Sequence, residues 1–473
     1  MIKNTRRSKA YVLVISACLL AACQTGPDYK RPDMVLPESW PAKLDSTART
    51  VSSVNGQWWH VFGDALLDQF EEEALANNAD IQVAAARVLE ARAQTGIVEA
   101  DQSPSLSANF RESRTENTLA GAFPRPATLP RIQNLSHLTL DASYELDLWG
   151  KLRRAGEAAR TELLAAESAR ETVRLSLTTQ VAQQYFALVS YDAQEAAIRR
   201  LLDGRQDRLA LNRKRLEVGV ISEYDLRQAE ADAAATQSQL ASLVQARDKQ
   251  EAALTVLLGR SPRDVMSSDL KRGNPNLASV AVPDGLPAEL LLRRPDLQEA
   301  ELRLAALNAR IVAARTQFFP SVTLTSYLGN ESVAFSNLFS GPAGIFQFAA
   351  AISQPIFNGD RVGYMVDAAE ARRDQALAQY KKAVASAFAD VRNALLAQAA
   401  ARQVMVSESA RSKALEQAYS QAELRFKSGI SSRLELLDVE RNYLQAELTR
   451  LDAERAQRSA VADLFKAMGG GWL

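Results

Sequence analysis

The spacing of apolar side chains changes period sharply along this chain. Over "HLTLDASYELDLWG", His137 to Gly150, apolar positions fall on every second residue. Leu138, Leu140, Ala142, Tyr144, Leu146 and Leu148 share one side; Thr139, Asp141, Ser143, Glu145 and Asp147 share the other. Period two predicts a strand with one apolar face. "SLSANFRES" upstream alternates in the same way, through Leu106, Ala108 and Phe110, and a loop with Pro and Gly, Gly121 to Pro130, separates the two. From Lys151 to about Val218 the pattern is helical, without Pro and with Gly only at 156 and 204. A second helix is predicted from about Ser222 to Leu258, stopped by Gly259 and Pro262. Ahead of the strands, Leu66, Leu67, Phe70 and Leu75 mark a short helix. Asn77–Asn78 break it, and Asp80 is placed to cap a helix running to about Gln102.

The same order then returns. "RRPDLQEAELRLAALNARIVAARTQFFPS" echoes "NNADIQVAAARVLEARAQTGIVEADQSPS" 216 residues earlier, matching Asp80 with Asp296, Gln82 with Gln298, Arg87 with Arg303 and Pro104 with Pro320. Two strand candidates follow, "SVTLTSYLG" and "IFQFAAAISQPIF". After them come a long helix from about Arg361 to Lys427 and a last helix from Ser432 to about Met468. "RLEVGVISEYDLRQAE" (215–230) and "RFKSGISSRLELLDVE" (425–440) share Arg, Gly, Ser, Leu and Glu in register at an offset of 210, and Gly259 and Gly469 keep that offset. Shared Ala-rich composition does not explain matched Gly, Pro and Asp, so the chain is read as a tandem duplication.

Lengths restrict the architecture. A helix over 151–218 is about 100 Å long, too long for a globular core of this size. Its return helix covers about 55 Å, and the helix from Asp296 to Phe319 adds about 36 Å. Stacked end to end, these two nearly match the long one. The expected picture is four strands at one end and two long hairpins whose turns, at Gly219 and Gly429, are the tips. Gly150 and Gly359 are expected at the strand-to-helix corners. Four strands with an apolar face fit the membrane-barrel pattern but cannot close a barrel alone. Other copies of the chain must close it: two would give eight strands, three twelve.

Composition and charge add location. The chain has 473 residues, with 56 basic and 56 acidic, so no basic surplus points to nucleic acid. Lys3, Arg6, Arg7 and Lys9 precede an apolar run, Ala10 to Ala22, too short to span a bilayer comfortably; this is the layout of a secretory signal. The run ends in "LAAC", which resembles the lipobox of bacterial lipoproteins and makes Cys23 the expected lipidated first residue. Cys18 lies in the removed segment, so no internal disulfide is expected. Gln24 stands where an Asp would resemble an inner-membrane retention signal, and that resemblance to lipoprotein sorting implies the outer membrane. Pro27, Pro32, Pro37 and Pro41 then predict an extended arm.

Catalysis has no foothold. His60 and His137 are far apart in sequence and no free Cys accompanies them, so no metal site is expected. No phosphate-binding loop or nucleophile–base grouping occurs. Trp58 and Trp59 are expected in packing, and Asp141, Glu145 and Asp147 on the inner side of the barrel.

Taken together, the lipobox, "GPDYKRP", "WWHVFGDALLDQFEEEALANNADIQ", "LLRRPDLQEAELRLAALNARIVAARTQFFPS" and both tip motifs resemble the outer membrane factors. These are the TolC-like exit ducts of tripartite efflux pumps, and the lipoprotein branch serving resistance-nodulation-division transporters is the most similar. The resemblance implies a mainly α chain in which tandem long hairpins form a periplasmic α-barrel. A homotrimer would complete a 12-stranded β-barrel among outer membrane lipids. A periplasmic adaptor (membrane fusion) protein and an inner-membrane resistance-nodulation-division transporter are the implied partners, and no cofactor is implied beyond the lipid on Cys23. The adaptor is expected to meet the tips at Val218, Gly219, Val220 and at Ser428, Gly429, Ile430. By the same resemblance, Leu434 falls at an apolar constriction and Glu435 and Asp438 at acidic rings of a periplasmic gate. Residues 435 and 438 share a helix face, and three copies would crowd six carboxylates near one axis, raising their pKa values and favouring cations. In the first repeat Asp225 matches Glu435 but Gln228 replaces the second acid, so Asp225 is expected at the tip and not in the gate.

The domain reading is 1–22 signal peptide, 23–57 lipidated arm, 58–270 first repeat with strands at about 104–149, and 271–473 second repeat with strands at about 320–357. A duct for type I protein secretion is the alternative, against which the lipobox and the "GPDYKRP" arm lean. A coiled-coil surface lipoprotein would have no use for four amphipathic strands.

Overall fold

The computed structural model describes residues 29–34, 56–118, 130–267, 270–273 and 293–470. The signal segment, Cys23 and most of the arm lie outside the described residues. In chain order come a 3-10 turn (Trp58–Phe62), α1 (Ala65–Asn77), α2 (Ala79–Ala100), β1 (Ser105–Glu116), β2 (Ile132–Leu146), α3 (Lys151–Glu217), α4 (Glu223–Leu257) and α5 (Pro262–Ser267). Then follow α6 (Pro295–Arg315), β3 (Ser321–Ser332), β4 (Gly344–Ser353), α7 (Arg361–Lys427) and α8 (Arg433–Ala467). The duplication is exact in length: α3 and α7 each have 67 residues, α4 and α8 each 35. None of the described helices is long and apolar enough to cross a membrane.

Residues cluster into two compact units, each assembled from several stretches of chain. The first contains the sheet. Its strands run β1-β2-β3-β4, antiparallel throughout, so β1 and β4 are edges with one partner each. The register sorts side chains as the alternation predicts. Leu106 and Phe110 of β1, Leu140 of β2, Leu328 of β3, and Phe346, Phe348 and Ile352 of β4 share one face, and all are exposed large apolar groups. The opposite face is polar and internally bonded: Asn109 Nδ2 and Thr139 Oγ1 both donate to Asp141 Oδ2, at 2.6 and 2.8 Å. His137 pairs there with Glu331 at 3.1 Å.

Below the strands, Trp149 stacks on Phe319 with ring centroids 5.0 Å apart and donates to the Pro320 carbonyl at 2.7 Å. The second corner holds the expected glycine and adds an aspartate. Gly359 does adopt a left-handed backbone (φ +63°), but the residue aligned with Gly150 is Asp360, also left-handed at +60°. The helix ends of this unit are tied by Arg310–Glu162 at 2.7 Å and Arg315–Glu370 at 2.6 Å. Residues 29–34 of the arm are fastened here too: Arg31 forks onto Glu301 at 2.7 and 2.6 Å.

The second unit holds the main core. Trp58, Trp59, Phe62, Phe70, Tyr185, Phe186, Leu254 and Phe465 are buried together, and Trp58 stacks on Phe465 at 5.3 Å. Both tryptophans are therefore packing residues. Asp64 caps α1 through Leu66 N–H at 2.9 Å and also accepts from the Tyr185 hydroxyl. The cap of α2 is Asn78 rather than the expected Asp80. Its Oδ1 accepts from Asp80 N–H at 2.7 Å, while its Nδ2 reaches the Leu257 carbonyl at 2.8 Å. An amide of the same length serves both ends, which an ionised carboxylate, having no donor, could not do.

Glu71 is fully buried in α1, and neither carboxylate oxygen has a hydrogen-bond partner among the described residues. Burial, helped by nearby Asp68, pushes its pKa well above the ordinary 4.5. From about pH 4.5 upward the unfolded chain therefore holds fewer protons than the fold, and stability falls as pH rises toward the raised value. Glu71→Gln is expected to flatten that slope and to make the protein more stable than the wild type at pH 7.5. Thermal melts of both proteins between pH 5 and 8 check this.

Candidate functional site at the hairpin tips

The two turns are built identically. At the end of α3, Val220 N–H donates to Arg215 O (2.8 Å) and Gly219 N–H to Leu216 O (2.9 Å), with Gly219 at φ +74°. At the end of α7, Ile430 N–H donates to Arg425 O (2.9 Å) and Gly429 N–H to Phe426 O (3.0 Å), with Gly429 at +75°. This paired pattern is a Schellman ending, and its left-handed position is why Gly recurs at 219 and 429. A Ser then starts the return helix. Ser222 Oγ accepts from Asp225 N–H and Ser432 Oγ from Glu435 N–H, both at 3.2 Å. The repeated tip motif is thus one stop signal and one start signal three residues apart.

Side chains make the two tips different. Asp225 closes its capping box, receiving the Ser222 hydroxyl at 2.7 Å and the Ser222 N–H at 3.2 Å, and these bonds hold its carboxyl below the usual range. Glu435 occupies the same helical position but faces Arg425 at 3.8 Å. Asp438 accepts from Arg441 at 2.6 Å and from the Asn442 amide at 3.4 Å. In the first hairpin the same stripe carries Gln228 donating to Asp232 at 3.2 Å. The acid and amide have exchanged places, so the first hairpin keeps its carboxylate one turn further along α4. Val218, Val220, Ile430 and Leu434 are all more than two-thirds exposed, leaving an apolar surface at each turn.

The hairpins meet through polar groups that the sequence reading did not single out. Arg433, at the start of α8, donates to the Asp225 carbonyl at 3.4 Å. It also donates to the Asn212 side-chain oxygen at 3.1 and 3.3 Å when that amide is oriented to accept. Two turns along α8, buried Glu440 accepts from Arg208 at 3.2 Å and lies 3.5 Å from Arg205. Arg205 donates as well to Thr236 Oγ1 (2.6 Å) and the Asp232 carbonyl (3.0 Å). The signal was present in the repeat comparison: position 433 aligns with Glu223 and 212 with Ala422. The copies diverge in charge where one hairpin grips the other.

Comparison with known proteins fits this construction. The outer membrane efflux protein family matches residues 71–260 and 286–470, one block for each repeat. The chain belongs to this family. Among relatives, the antibiotic efflux pump outer membrane protein ArpC of Pseudomonas putida is 34% identical over 472 residues, covering 97% of this chain and 95% of ArpC. SilC of Salmonella typhimurium, described as a probable outer membrane lipoprotein, is 32% identical over 478 residues and the full length of both. The crystal structure of the Campylobacter jejuni CmeC outer membrane channel superposes with a TM-score of 0.90 at 27% identity, over 95% of each chain. As an outer membrane efflux protein, the chain is the outer-membrane duct of an efflux system, and its sheet is the part suited to lipid.

Proposed function

We propose that three copies assemble into a passive exit duct: their sheets join into one 12-stranded barrel and their hairpins form a periplasmic tunnel. The carrying observation is the sheet itself. It has two unpaired edges and one face of exposed Leu, Phe and Ile, which neither water nor a single copy satisfies. A periplasmic adaptor docks on the apolar turns Val218–Gly219–Val220 and Ser428–Gly429–Ile430. An inner-membrane transporter of the resistance-nodulation-division class supplies the energy, a reading supported by the family's membership in efflux systems. Cys23 carries the lipid, a reading supported by the "LAAC" context and by the description of SilC.

Leu434, Glu435 and Asp438 form the gate of this duct. Arg425 and Arg441 stand beside its acids, so the gate is a ring of ion pairs rather than of bare carboxylates. Replacing Glu435 and Asp438 together by Ala leaves those arginines uncompensated. Ion selectivity in planar bilayers is then expected to move from cations toward anions, by several-fold in permeability ratio. Unchanged selectivity would remove both residues from the gate. The assembly is tested by the mass of the purified protein in detergent: three copies support the closure, and a monomer overturns it.

A further inference from the structure

The register places the first residue of β1 and the last of β4 at the same end of the sheet: Ser105 pairs with Ser143, and Ser353 with Ser321, beside the β2–β3 pair Leu146–Val322. The outer edges therefore continue, at that end, into α2 on one side and into the β4–α7 connector on the other. That connector carries the two most exposed large apolar side chains among the described residues, Ile356 at 92% and Phe357 at 91%. The α2 side is the reverse in shape. Ala93, Gly96 and Ala100 are exposed, Ile97 stands beside them, and a Cβ built on Gly96 meets nothing within 4 Å.

We infer that Ile356 and Phe357 are knobs that seat on the Ala93–Gly96–Ile97–Ala100 face of the next copy. This rests on the closure proposed above and names where neighbouring copies lock together below the strands. If β4 pairs antiparallel with the next copy's β1, the connector and the next copy's α2 end fall side by side. The contact is heterologous, one surface meeting a different one, which is the type that closes rings. Small residues on a helix let large ones approach its backbone. Burying two such large apolar side chains removes exposed apolar surface from solvent or lipid at each interface. Lipid facing the connector would account for Ile356 and Phe357 but not for the exposed Ala93, Gly96 and Ala100 on the opposite edge.

The test uses the full-length lipoprotein in isolated outer membranes. Gly96→Cys and Phe357→Cys together, treated with a short bis-maleimide, are expected to give dimer and trimer bands. Each single variant and the wild type, treated alike, are expected to give none. Gly96→Leu fills the socket and is expected to lower the trimer fraction several-fold, whereas Gly96→Ala leaves it unchanged. A fluorophore on Phe357→Cys in vesicles containing brominated phosphatidylcholine reports the rival occupant. Strong quenching, with trimers present by mass and no cross-link, overturns the inference while leaving the duct intact. Absence of any oligomer removes the closure itself, and the inference with it.

Discussion

Arg433→Ala is expected to unlock the duct. In each copy Arg433 binds the Asp225 carbonyl and Asn212, holding the second hairpin against the first. Hydrogen bonds to a charged donor contribute about 1.5–3 kcal/mol each. In the proposed trimer three copies lose them together, and a shift of about 5 kcal/mol turns a closed population into an open one. Single-channel conductance should therefore rise several-fold, and cells carrying the variant should become sensitive to large antibiotics that the outer membrane excludes. Arg433→Lys keeps the charge without the fork and should fall between the two. Glu440→Gln weakens the second tie, to Arg208 and Arg205, and should add to the effect. Wild-type conductance from a correctly assembled Arg433→Ala trimer would show that these bonds do not hold the tips closed.

The second large effect separates two glycines with the same backbone. Gly219 and Gly259 both end a helix, at φ +74° and +70°. Nothing lies within 4 Å of a Cβ built on Gly219, whereas one on Gly259 would collide with the Asn77 carbonyl and the Asn78 amide. Gly219→Ala thus meets only the left-handed backbone cost, about 1–2 kcal/mol. Gly259→Ala must also push α1 and α2 apart at the Asn78 cap, and a total loss above about 3 kcal/mol is expected. Denaturant titrations followed by Trp fluorescence can rank them, because Trp58 and Trp59 sit in the affected core. Equal losses at the two positions would mean that the chain gives way around Gly259 without strain.

Much of this was legible in the sequence because the duplication states each signal twice. Arg361–Lys427 was read to the residue, and the other long helices to within one or two. Matched Gly and Ser mark both ends of each turn, and those residues act through backbone geometry that needs no tertiary partner. The strands were legible because their two faces meet different environments; only their limits moved, to Ser105–Glu116, Ile132–Leu146, Ser321–Ser332 and Gly344–Ser353. Asn78 was missed as a cap because its second bond, to Leu257, comes from a residue 179 positions away. Arg433 and Glu440 were missed as a grip for the same reason: each looks like an ordinary surface charge until the other hairpin is beside it. Asp360 was missed because left-handed aspartate has no pattern of its own, and the glycine next to it appeared sufficient.

On the proposed function, copies of this chain close into one conducting duct held shut at its tips. Purified wild-type and Arg433→Ala proteins, each confirmed as trimers by mass, should be recorded side by side in planar bilayers. Small, cation-selective steps from the wild type and markedly larger steps from the variant are the predicted result. Trimers that stay silent in both forms would contradict the account.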